Sequence, residues 1–287
     1  MSEQKKVWFI TGISSGLGKC LAEEVILAGD QVVGTLRKAE QVEYFNQLHL
    51  PSKGVGGPGK AIAVQMDVTK PGQVQEAVDK AVETFGRIDV VVNNAGYGLM
   101  GTVEEVSLSE ARDLFKTNLF GVMNVLQCVL PLLRKQKSGH IIQLSSIAGF
   151  KATPGLGLYN ASKYALEGLS EALAGEVAPF NIKVTLVEPG PFRTAFAGSS
   201  LKIAEKKIDA YDSTPVGEFM KSFTERDGKQ DGDPVKAARL MIEVVNSPNP
   251  PLHIPMGQFA YDGFKKKMEN VQKDMEGWKE KLVKTSF

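Results

Sequence analysis

Seven short runs rich in apolar and β-branched residues alternate with stretches that have the periodicity of amphipathic helices. The runs are residues 7–11, 31–37, 61–66, 88–92, 140–144, 182–187 and 252–256. Strands that alternate with helices are typical of a parallel sheet with right-handed crossover connections. The run at 88–92 is apolar at nearly every position, as expected for a strand covered on both faces. The sequence therefore predicts an α/β fold, a doubly wound parallel sheet with helices on both faces.

Composition narrows the functional classes. The chain has 287 residues, enough for one large α/β domain, and a formal net charge of +1, so its charge does not favour nucleic acid or an anionic membrane as a partner. The sequence has neither an apolar run of the ~20 residues that span a bilayer nor a signal-peptide pattern. Cys20 and Cys128 are far apart, which argues against a disulfide framework and a metal site. We expect a cytoplasmic protein without a metal.

A glycine-rich turn follows the first predicted strand and precedes a helical pattern. Gly12, Gly16 and Gly18 give the spacing G-x-x-x-G-x-G. Glycines in a strand–turn–helix unit let the backbone approach a pyrophosphate, which lies at the N-terminal end of the helix. A plain glycine-rich connection is the alternative. The strand before the turn and the helix after it favour a dinucleotide site.

The end of the second predicted strand indicates which dinucleotide is bound. In this kind of unit an acidic residue there bonds the adenosine ribose 2′-hydroxyl of NAD. This chain has Arg37 and Lys38 instead, and a guanidinium matches the charge and planar geometry of a 2′-phosphate. Arg37 therefore favours NADP(H) over NAD(H). The alternative is that the two bases only form a solvated end to the loop.

Small and polar residues follow several of the predicted strands. Besides the glycine turn, these are Asp67, the turn at 93–96, Ser146 and the pair at 189–190. Ligands of open α/β sheets bind outside the carboxyl ends of the strands. We therefore expect these residues to converge on one binding crevice.

Tyr159 and Lys163 are four residues apart in a predicted helix, so they share one face. A neighbouring ammonium favours the phenolate and lowers the pKa of tyrosine from about 10 towards neutrality. The upstream Ser146 hydroxyl could hydrogen-bond a substrate oxygen that Tyr159 protonates or deprotonates. A chance pair on a solvated helix is the alternative, but the predicted cofactor site weighs against it.

Two segments in the C-terminal part depart from the alternating pattern. Residues 191–232 are polar with scattered aromatics, which favours a mobile substrate lid, with a packed insertion as the alternative. Residues 258–284 form a predicted helix with a single apolar stripe. We expect the stripe to dock on the parent domain, with a partner subunit as second choice. Both segments are assigned to a single domain, residues 1–287.

These motifs together resemble the short-chain dehydrogenase/reductase family over residues 5–257. The resemblance rests on the glycine turn, the Asn-Asn-Ala-Gly turn at 93–96, the Tyr-x-x-x-Lys pair and the Pro-Gly-x-x-x-Thr pattern at 189–194. It implies a Rossmann-type sheet of seven strands in the order 3-2-1-4-5-6-7. Asn118 matches the asparagine of the family's catalytic tetrad. Ser146 lies thirteen positions before the tyrosine, where the family's serine usually lies, and is favoured over Ser145.

The resemblance also assigns roles to residues. The implied catalytic residues are Asn118, Ser146, Tyr159 and Lys163. The implied cofactor contacts are Gly12, Ser14, Ser15, Gly16, Leu17, Gly18, Arg37, Asp67, Val68, Asn94, Ala95, Gly96, Tyr159, Lys163, Pro189, Gly190 and Thr194. The residues expected to flank an apolar substrate pocket are Phe150, Leu156, Phe192 and Phe196. Tyr159 would transfer a proton during hydride transfer, Lys163 would hold the nicotinamide ribose, and Asn118 would hold a water linked to Lys163.

Within the family, the chain is similar to NADP-preferring ketoreductases and to hydroxysteroid and retinol dehydrogenases. The implied activity is an NADP(H)-dependent carbonyl reductase or alcohol dehydrogenase that acts on bulky, apolar substrates as a homodimer or homotetramer. Ser14 and Ser15 stand where some NADP enzymes have a second base, so Arg37 would supply most of the selectivity. The alternatives are cofactor-recycling chemistry, such as epimerisation or dehydration, and a cofactor-binding sensor.

Four polar residues receive no site role from the sequence. Glu188 is interpreted as structural. His49, His140 and His253 have no partner pattern and are interpreted as surface or strand-end residues.

Overall fold

A seven-stranded parallel sheet forms the centre of the protein. The computed structural model describes residues 5–49 and 59–286, so the predicted loop at 51–60 lies mostly outside the described residues. The strands are β1 Val7–Ile10, β2 Gln31–Leu36, β3 Ala61–Gln65, β4 Val90–Asn93, β5 Gly98–Met100, β6 Gly139–Leu144, β7 Ile182–Pro189, β8 Leu201–Ile203 and β9 His253–Met256. The main sheet has the order β3-β2-β1-β4-β6-β7-β9. Counted within this sheet, the predicted order 3-2-1-4-5-6-7 is confirmed.

Two helical layers cover the sheet. The helices are α1 Gly16–Leu27, α2 Ala39–Leu48, α3 Pro71–Phe85, α4 Leu108–Phe115, α5 Gly121–Gln136, α6 Gly157–Val177, α7 Pro215–Glu225, α8 Pro234–Asn246 and α9 Gln258–Leu282. One apolar cluster joins the sheet to α3, α5 and α6, and another joins it to α1 and α8. The adjacent residues Trp8 and Phe9 of β1 are fully buried in different clusters. Both faces of the sheet are therefore covered, as the apolar strands predict.

The predicted long helix after Ser107 contains a π-helical turn. Its N-terminus has the predicted capping box, in which Ser107 and Glu110 satisfy each other's backbone N–H groups. The turn Lys116–Phe120 separates α4 from α5 and contains Asn118. By length and composition alone, Leu108–Gln136 is long and apolar enough to cross a membrane. In this fold its buried apolar face packs against the sheet and α3. A helix packed in the core needs the same apolar composition as a helix that crosses a membrane.

Residues 191–232, which we call the cap, pack over the carboxyl edge of the sheet. They contain α7 and β8, and β8 pairs in parallel with β5 in a separate two-stranded sheet that the sequence did not predict. Backbone hydrogen bonds join Gly232 to Pro191 and to Arg193 and so hold the two ends of the cap together. The buried carboxylate of Glu105 accepts the N–H of Thr102 at 2.8 Å and the N–H of Ile208 at 3.1 Å. Glu105 therefore fastens the cap to the loop after β5.

The predicted C-terminal helix is present as α9, but the predicted docking of its stripe is wrong. Its first turns pack on the domain, where Phe264 stacks on Phe150 with ring centroids 4.0 Å apart. Every described residue after Lys267 is exposed. The exposed stripe consists of Met268, Val271, Met275, Trp278 and Leu282. The helix is longer than the surface that its first turns contact, and none of the residues that the structure describes covers the stripe.

The interpretation of His140 as a surface residue without a partner is wrong, although it does lie near the start of a strand. His140 lies within β6, is buried, and has Nε2 2.9 Å from the hydroxyl of Thr185. Burial lowers the pKa of His140 to about 4, so the ring is neutral near pH 7. His140 is therefore a hydrogen-bonded core residue that links neighbouring strands.

Candidate active site

The glycine turn connects β1 to α1 at the carboxyl edge of the sheet. Gly12 and Gly16 have φ angles of 74° and 61°, in the left-handed region that favours glycine. At Gly18 the constraint is space. A Cβ atom there would lie 2.3 Å from Nδ2 of Asn94 and 2.5 Å from the carbonyl oxygen of Gly12. The backbone therefore requires the three predicted glycines for two different physical reasons.

Thr11 and Asn94 tie the glycine turn to the end of β4. The Asn94 side chain donates hydrogen bonds to the carbonyl oxygens of Thr11 and Gly12, each at 2.8 Å. The Thr11 hydroxyl accepts the backbone N–H groups of Asn94 and Ala95, each at 3.0 Å. The sequence analysis missed Thr11 as a site residue. Its position between the strand and the first glycine was the available signal.

The N-terminus of α1 is suited to hold an anion. Ser15 is its N-cap residue but makes no side-chain cap hydrogen bond, so backbone donors of the first turn stay available to a ligand. Ser14 and Ser15 are exposed, whereas Leu17 packs partly into the α1–α8 cluster. A Cβ atom at Gly16 would lie 3.5 Å from Cβ of Thr194. The Pro-Gly-x-x-x-Thr segment therefore reaches the same turn.

The other predicted cofactor residues lie along this edge of the sheet. Arg37 is exposed directly after β2, and its guanidinium makes no hydrogen bond or ion pair with any described residue. Asp67 and Val68 follow β3, with Asp67 partly exposed and Val68 buried. Pro189 ends β7, and the N–H of Gly190 donates to the end of β9. The parallel topology brings these residues to one side of the sheet.

Asn118 lies in the π turn and is buried. Its Oδ1 accepts the N–H of Tyr97 at 3.1 Å, and its Nδ2 donates to the carbonyl oxygen of Tyr97 at 3.0 Å and to the Ser162 hydroxyl at 3.2 Å. A Cβ atom at Gly96 would lie 3.1 Å from Oδ1 of Asn118 and 3.9 Å from Nζ of Lys163. The turn after β4 therefore meets the predicted catalytic residues, and Asn118 cross-links that turn to α6.

Tyr159 and Lys163 share one face of α6 and are both buried. Nζ of Lys163 lies 5.9 Å from the centre of the Tyr159 ring and donates to the carbonyl oxygen of Leu144 at 2.7 Å. Burial raises the pKa of Tyr159 to about 12, against an opposing interaction with the Ser146 hydroxyl. Burial also lowers the pKa of Lys163 to about 8, against the opposing charge of Glu167.

The expectation that Lys163 brings the pKa of Tyr159 towards neutrality does not hold for the protein in this state. Desolvation disfavours the charged form of each group. The Lys163 ammonium is also directed to a carbonyl oxygen rather than to the phenol. Tyr159 is therefore a protonated acid in this arrangement.

The two adjacent serines after β6 face different neighbours. Ser146 interacts with Tyr159, and its Oγ accepts the N–H of Ala148 at 3.1 Å. Ser145 faces Glu167 instead and is buried. This placement supports the choice of Ser146 as the residue beside the reacting group.

Two of the four predicted pocket residues lie beside Tyr159. Phe196 of the cap has its ring centroid 5.5 Å from that of Tyr159, and Leu156 belongs to the same apolar cluster. Phe150 instead stacks on an aromatic ring of α9, and Phe192 packs into the α1–α8 cluster. Phe150 and Phe192 were predicted to flank the pocket because they are close in sequence to Ser146 and Gly190. Local turns direct their side chains away from Tyr159.

Most of the apolar surroundings of Tyr159 were missed from the sequence. The missed members of its cluster are Tyr97, Leu99, Met100, Val106, Leu114, Ala148, Leu158, Leu201, Val216, Phe219, Met220 and Phe223. They come largely from β5, α4, the cap and the turns beside them. No short-range pattern links these segments, because the small β5–β8 sheet brings them together.

A second missed group lies behind Lys163. Glu167, Glu188 and His253 place ligand-type atoms within 4.8 Å of one another. They were missed because they come from α6, β7 and β9, which are distant in sequence. The interpretation of His253 as a residue without a partner is wrong, since its Nδ1 is 2.7 Å from Oε1 of Glu188.

Comparisons with known proteins agree with this geometry. Residues 6–203 match the family described as short chain dehydrogenase. The chain belongs to this family. It is 41% identical over 275 residues to oxidoreductase BOA17 of Botryotinia fuckeliana, covering 96% of this chain and 97% of that one. It is also 38% identical to a 3-ketodihydrosphingosine reductase of Bacteroides thetaiotaomicron, over 88% of each chain.

Solved structures give the same assignment. A short-chain dehydrogenase from Streptomyces avermitilis superposes with a TM-score of 0.87 and 36% identity over 100% of both chains. ElxO with NADP bound superposes with a TM-score of 0.70 and 29% identity, over 87% of this chain and 96% of ElxO. The short-chain dehydrogenase/reductase family, its Rossmann-type fold and membership of an oxidoreductase class, all implied by the sequence motifs, are therefore confirmed.

Proposed function

We propose that this protein is an NADP(H)-dependent oxidoreductase that interconverts a carbonyl compound and an alcohol. One observation carries the proposal, the meeting of two sites in the turn after β4. Asn94 of this turn is bonded to the glycine turn, and Gly96 lies beside Asn118 and Lys163. The edge of the sheet that is suited to a dinucleotide therefore adjoins the residues that are suited to proton transfer.

The residues along the edge fit a dinucleotide. Gly18 packs too closely against Asn94 and Gly12 for any side chain, so the start of α1 lies close to the end of β4, as a dinucleotide-binding turn requires. The uncapped first turn of α1 and the exposed hydroxyls of Ser14 and Ser15 provide donors for phosphate oxygens. In this proposal Asp67 and Ala95 also contact the dinucleotide. When bound, the nicotinamide supplies a hydride for reduction or accepts one in oxidation.

Tyr159 is the proton donor for carbonyl reduction in this proposal. With its pKa raised to about 12, its phenol is protonated at neutral pH, so it can protonate the substrate oxygen as negative charge develops there. The phenolate takes the proton back in alcohol oxidation. The Ser146 hydroxyl accepts one backbone N–H and keeps its own hydrogen to donate to the substrate oxygen.

Lys163 and Asn118 support this proton transfer. The Lys163 ammonium, 5.9 Å from the ring centre, stabilises the phenolate left after proton donation. We assign it the additional role of holding the nicotinamide ribose. Asn118 fixes the turn at Tyr97 to α6 through Ser162 and, in this proposal, holds a water that connects Lys163 to solvent.

The preference for NADP(H) over NAD(H) rests on Arg37. Its exposed guanidinium, directly after β2, has no partner among the described residues and suits a 2′-phosphate. The likeness to ElxO, which binds NADP, supports the same choice.

The proposed substrate is a bulky, apolar ketone. Tyr159 lies in an apolar cluster with Leu156 and with Phe196 and Met220 of the cap, so a polar substrate would lose hydration there without replacement hydrogen bonds. The similarity to a 3-ketodihydrosphingosine reductase supports a ketone with a large apolar part.

A panel of ketones and aldehydes tests the proposal. Loss of NADPH and, separately, of NADH is followed with purified protein and substrates of increasing apolar size, with a no-carbonyl blank. We expect consumption of NADPH with bulky ketones. If no carbonyl consumes either cofactor while NADPH binds tightly, a sensor function replaces the proposal. Substrate turnover without a net change in NADPH would instead indicate cofactor-recycling chemistry.

We also propose that the protein assembles as a homodimer or homotetramer through the α4–α5 stretch and α6. Phe120 and Tyr164 are exposed on these elements, and the α9 stripe adds an uncovered apolar surface. Light scattering on purified protein tests the assembly, and a monomer at micromolar concentration would contradict it.

A further inference from the structure

A buried cluster of ionisable groups lies directly behind Lys163. Glu167 is one helical turn beyond Lys163 on α6 and is 5% exposed, and Glu188 of β7 is fully buried. His253, at the start of β9, has Nδ1 2.7 Å from Oε1 of Glu188 and 3.7 Å from Oε2 of Glu167. The proposed mechanism uses none of these three residues.

The carboxylates in this cluster lack enough hydrogen-bond donors. Both oxygens of Glu167 and Oε2 of Glu188 are buried with no well-aligned donor among the described residues. The Ser145 hydroxyl faces Glu167 but makes no well-aligned hydrogen bond with it. A Cβ atom at Gly149 would lie 2.7 Å from Oγ of Ser145 and 2.8 Å from Oε1 of Glu167, so the carboxylate packs directly against the backbone there.

Two buried carboxylates this close cannot both be ionised without a neutralising positive charge. Burial raises the pKa of Glu167 to about 7 and that of Glu188 to about 8. The positive charge is therefore a proton or a cation. The 2.7 Å contact between Glu188 and His253 is a hydrogen-bond distance. It is shorter than the separation of roughly 3.3 Å between two donors around a tetrahedral zinc ion, which favours the proton.

We propose that Glu167 and Glu188 share one proton, exchange it with solvent through His253, and as positioning residues set the charge of Lys163. The proton leaves the carboxyl group for Nδ1 of His253, and the imidazolium releases its Nε2 proton to water. The side chain of His253 is 36% exposed, so it reaches both the buried pair and the surface. The inference rests on the role proposed above for Lys163.

The coupling to Lys163 follows from charge. The Glu167 carboxylate opposes the effect of burial on Lys163 and raises its pKa. The Glu188 carboxylate in turn raises the pKa of Glu167, so it controls how much negative charge Lys163 meets. The other charged or titratable groups that face the pair are Tyr164 and Glu171 on α6.

Two isosteric variants have opposite expected effects on the pH profile of alcohol oxidation. Oxidation needs Tyr159 as the phenolate, which the Lys163 ammonium stabilises. Glu167→Gln removes the charge that supports the ammonium, so the acid limb of the profile moves up by about one pH unit. Glu188→Gln lets Glu167 ionise at lower pH, so the limb moves down. A packing defect caused by the substitutions would not shift the acid limb in opposite directions in the two variants.

Glu176→Gln is the matched control on the same helix. Glu176 is exposed and lies more than two helical turns beyond Glu167, so its loss should leave the acid limb in place. Glu167→Asp should restore most of the wild-type profile because it keeps the charge. Shifts of the same sign in both glutamine variants, or no shift in either, would overturn the inference.

Infrared spectroscopy tests the shared proton without turnover. The carbonyl stretch of a protonated carboxyl group should be present in the wild type at pH 7, disappear on titration to pH 9.5, and be weakened at pH 7 in Glu188→Gln. Its absence from the wild type would overturn the shared proton even if the enzyme is active. Stoichiometric divalent metal in the wild type that is lost in Glu188→Gln would overturn it in favour of a metal site. If the wild type lacks turnover, the proposed function fails while the infrared result still decides the proton pair.

Discussion

Replacing Gly18 by alanine tests the construction of the cofactor edge. The added Cβ would lie 2.5 Å from the Gly12 carbonyl oxygen and 2.3 Å from Nδ2 of Asn94, whereas ordinary contacts begin near 3.4 Å. The Asn94 side chain must therefore move and give up its two hydrogen bonds to Thr11 and Gly12. We take about 2 kcal/mol for these bonds and about 2 kcal/mol for overpacking. The better helix propensity of alanine offsets up to about 1 kcal/mol.

The net loss of about 3 kcal/mol is large enough to measure. At roughly 2–4 °C per kcal/mol, Tm should fall by about 6–12 °C, with a matching fall in the urea midpoint and weaker NADPH binding by calorimetry. Gly168→Ala is the matched control, because Gly168 lies in the middle of α6 and its added Cβ would meet open space. That variant should gain roughly 0.5–1 kcal/mol. A Gly18→Ala protein with an unchanged midpoint and unchanged NADPH affinity would refute this reasoning.

Two further substitutions test the cofactor preference and the cap. Arg37→Asp should weaken the binding of NADPH by roughly tenfold or more, which corresponds to the loss of one charge-assisted hydrogen bond, and should leave the binding of NADH unchanged. An unchanged ratio of kcat/KM for the two cofactors would show that Arg37 is only a loop charge. Glu105→Ala leaves the N–H groups of Thr102 and Ile208 without their acceptor, which costs about 1–3 kcal/mol for each group. Amide hydrogen exchange in β8 should therefore accelerate. The exposed control Glu83→Ala should not change the exchange rate. Burial alone would raise the pKa of Glu105, but its hydrogen bonds hold the pKa below the usual value. The contribution of the ionised Glu105 to stability is therefore fully present above pH ~4.3, the pKa of an unperturbed glutamate. It is lost as the pH falls through the lower pKa of the folded state. If the protection factors of the β8 amides, which correct for the intrinsic pH dependence of exchange, do not fall in acid, this assignment is contradicted.

The layout of the main sheet could be predicted from the sequence because its determinants are local. Each main-sheet strand is a short apolar run, and right-handed crossovers between such runs leave few possible topologies. The capping box at Ser107 and Glu110 was predictable for the same reason, since both hydrogen bonds close within one turn.

Features that depend on distant segments could not be predicted. The β5–β8 sheet pairs residues 98–100 with residues 201–203, and neither strand has a strong pattern of its own. The cluster of Glu167, Glu188 and His253 joins three elements through side chains that are unremarkable in sequence. The α9 stripe is a different case, because the stripe itself was predicted from the sequence but its packing was not. Its spacing predicts an apolar face, but amphipathicity alone does not say what covers that face.

The positions of the predicted catalytic residues could be deduced, but their electrostatics could not. The spacing of Tyr159 and Lys163 places both on one face of α6 regardless of context. Their pKa values depend on burial, which raises that of Tyr159 and lowers that of Lys163. Burial is set by β5, α4 and the cap, none of which the active-site motif contains.

The most direct test of the central claim compares wild type with Tyr159→Phe on the best ketone found with NADPH. Loss of the phenolic proton should reduce kcat by about 10²–10⁴-fold. NADPH affinity, measured by fluorescence titration, should change little, because the ring still packs against Phe196. A variant that binds NADPH normally but has lost turnover would support Tyr159 as the proton donor. Full activity in Tyr159→Phe would contradict the account.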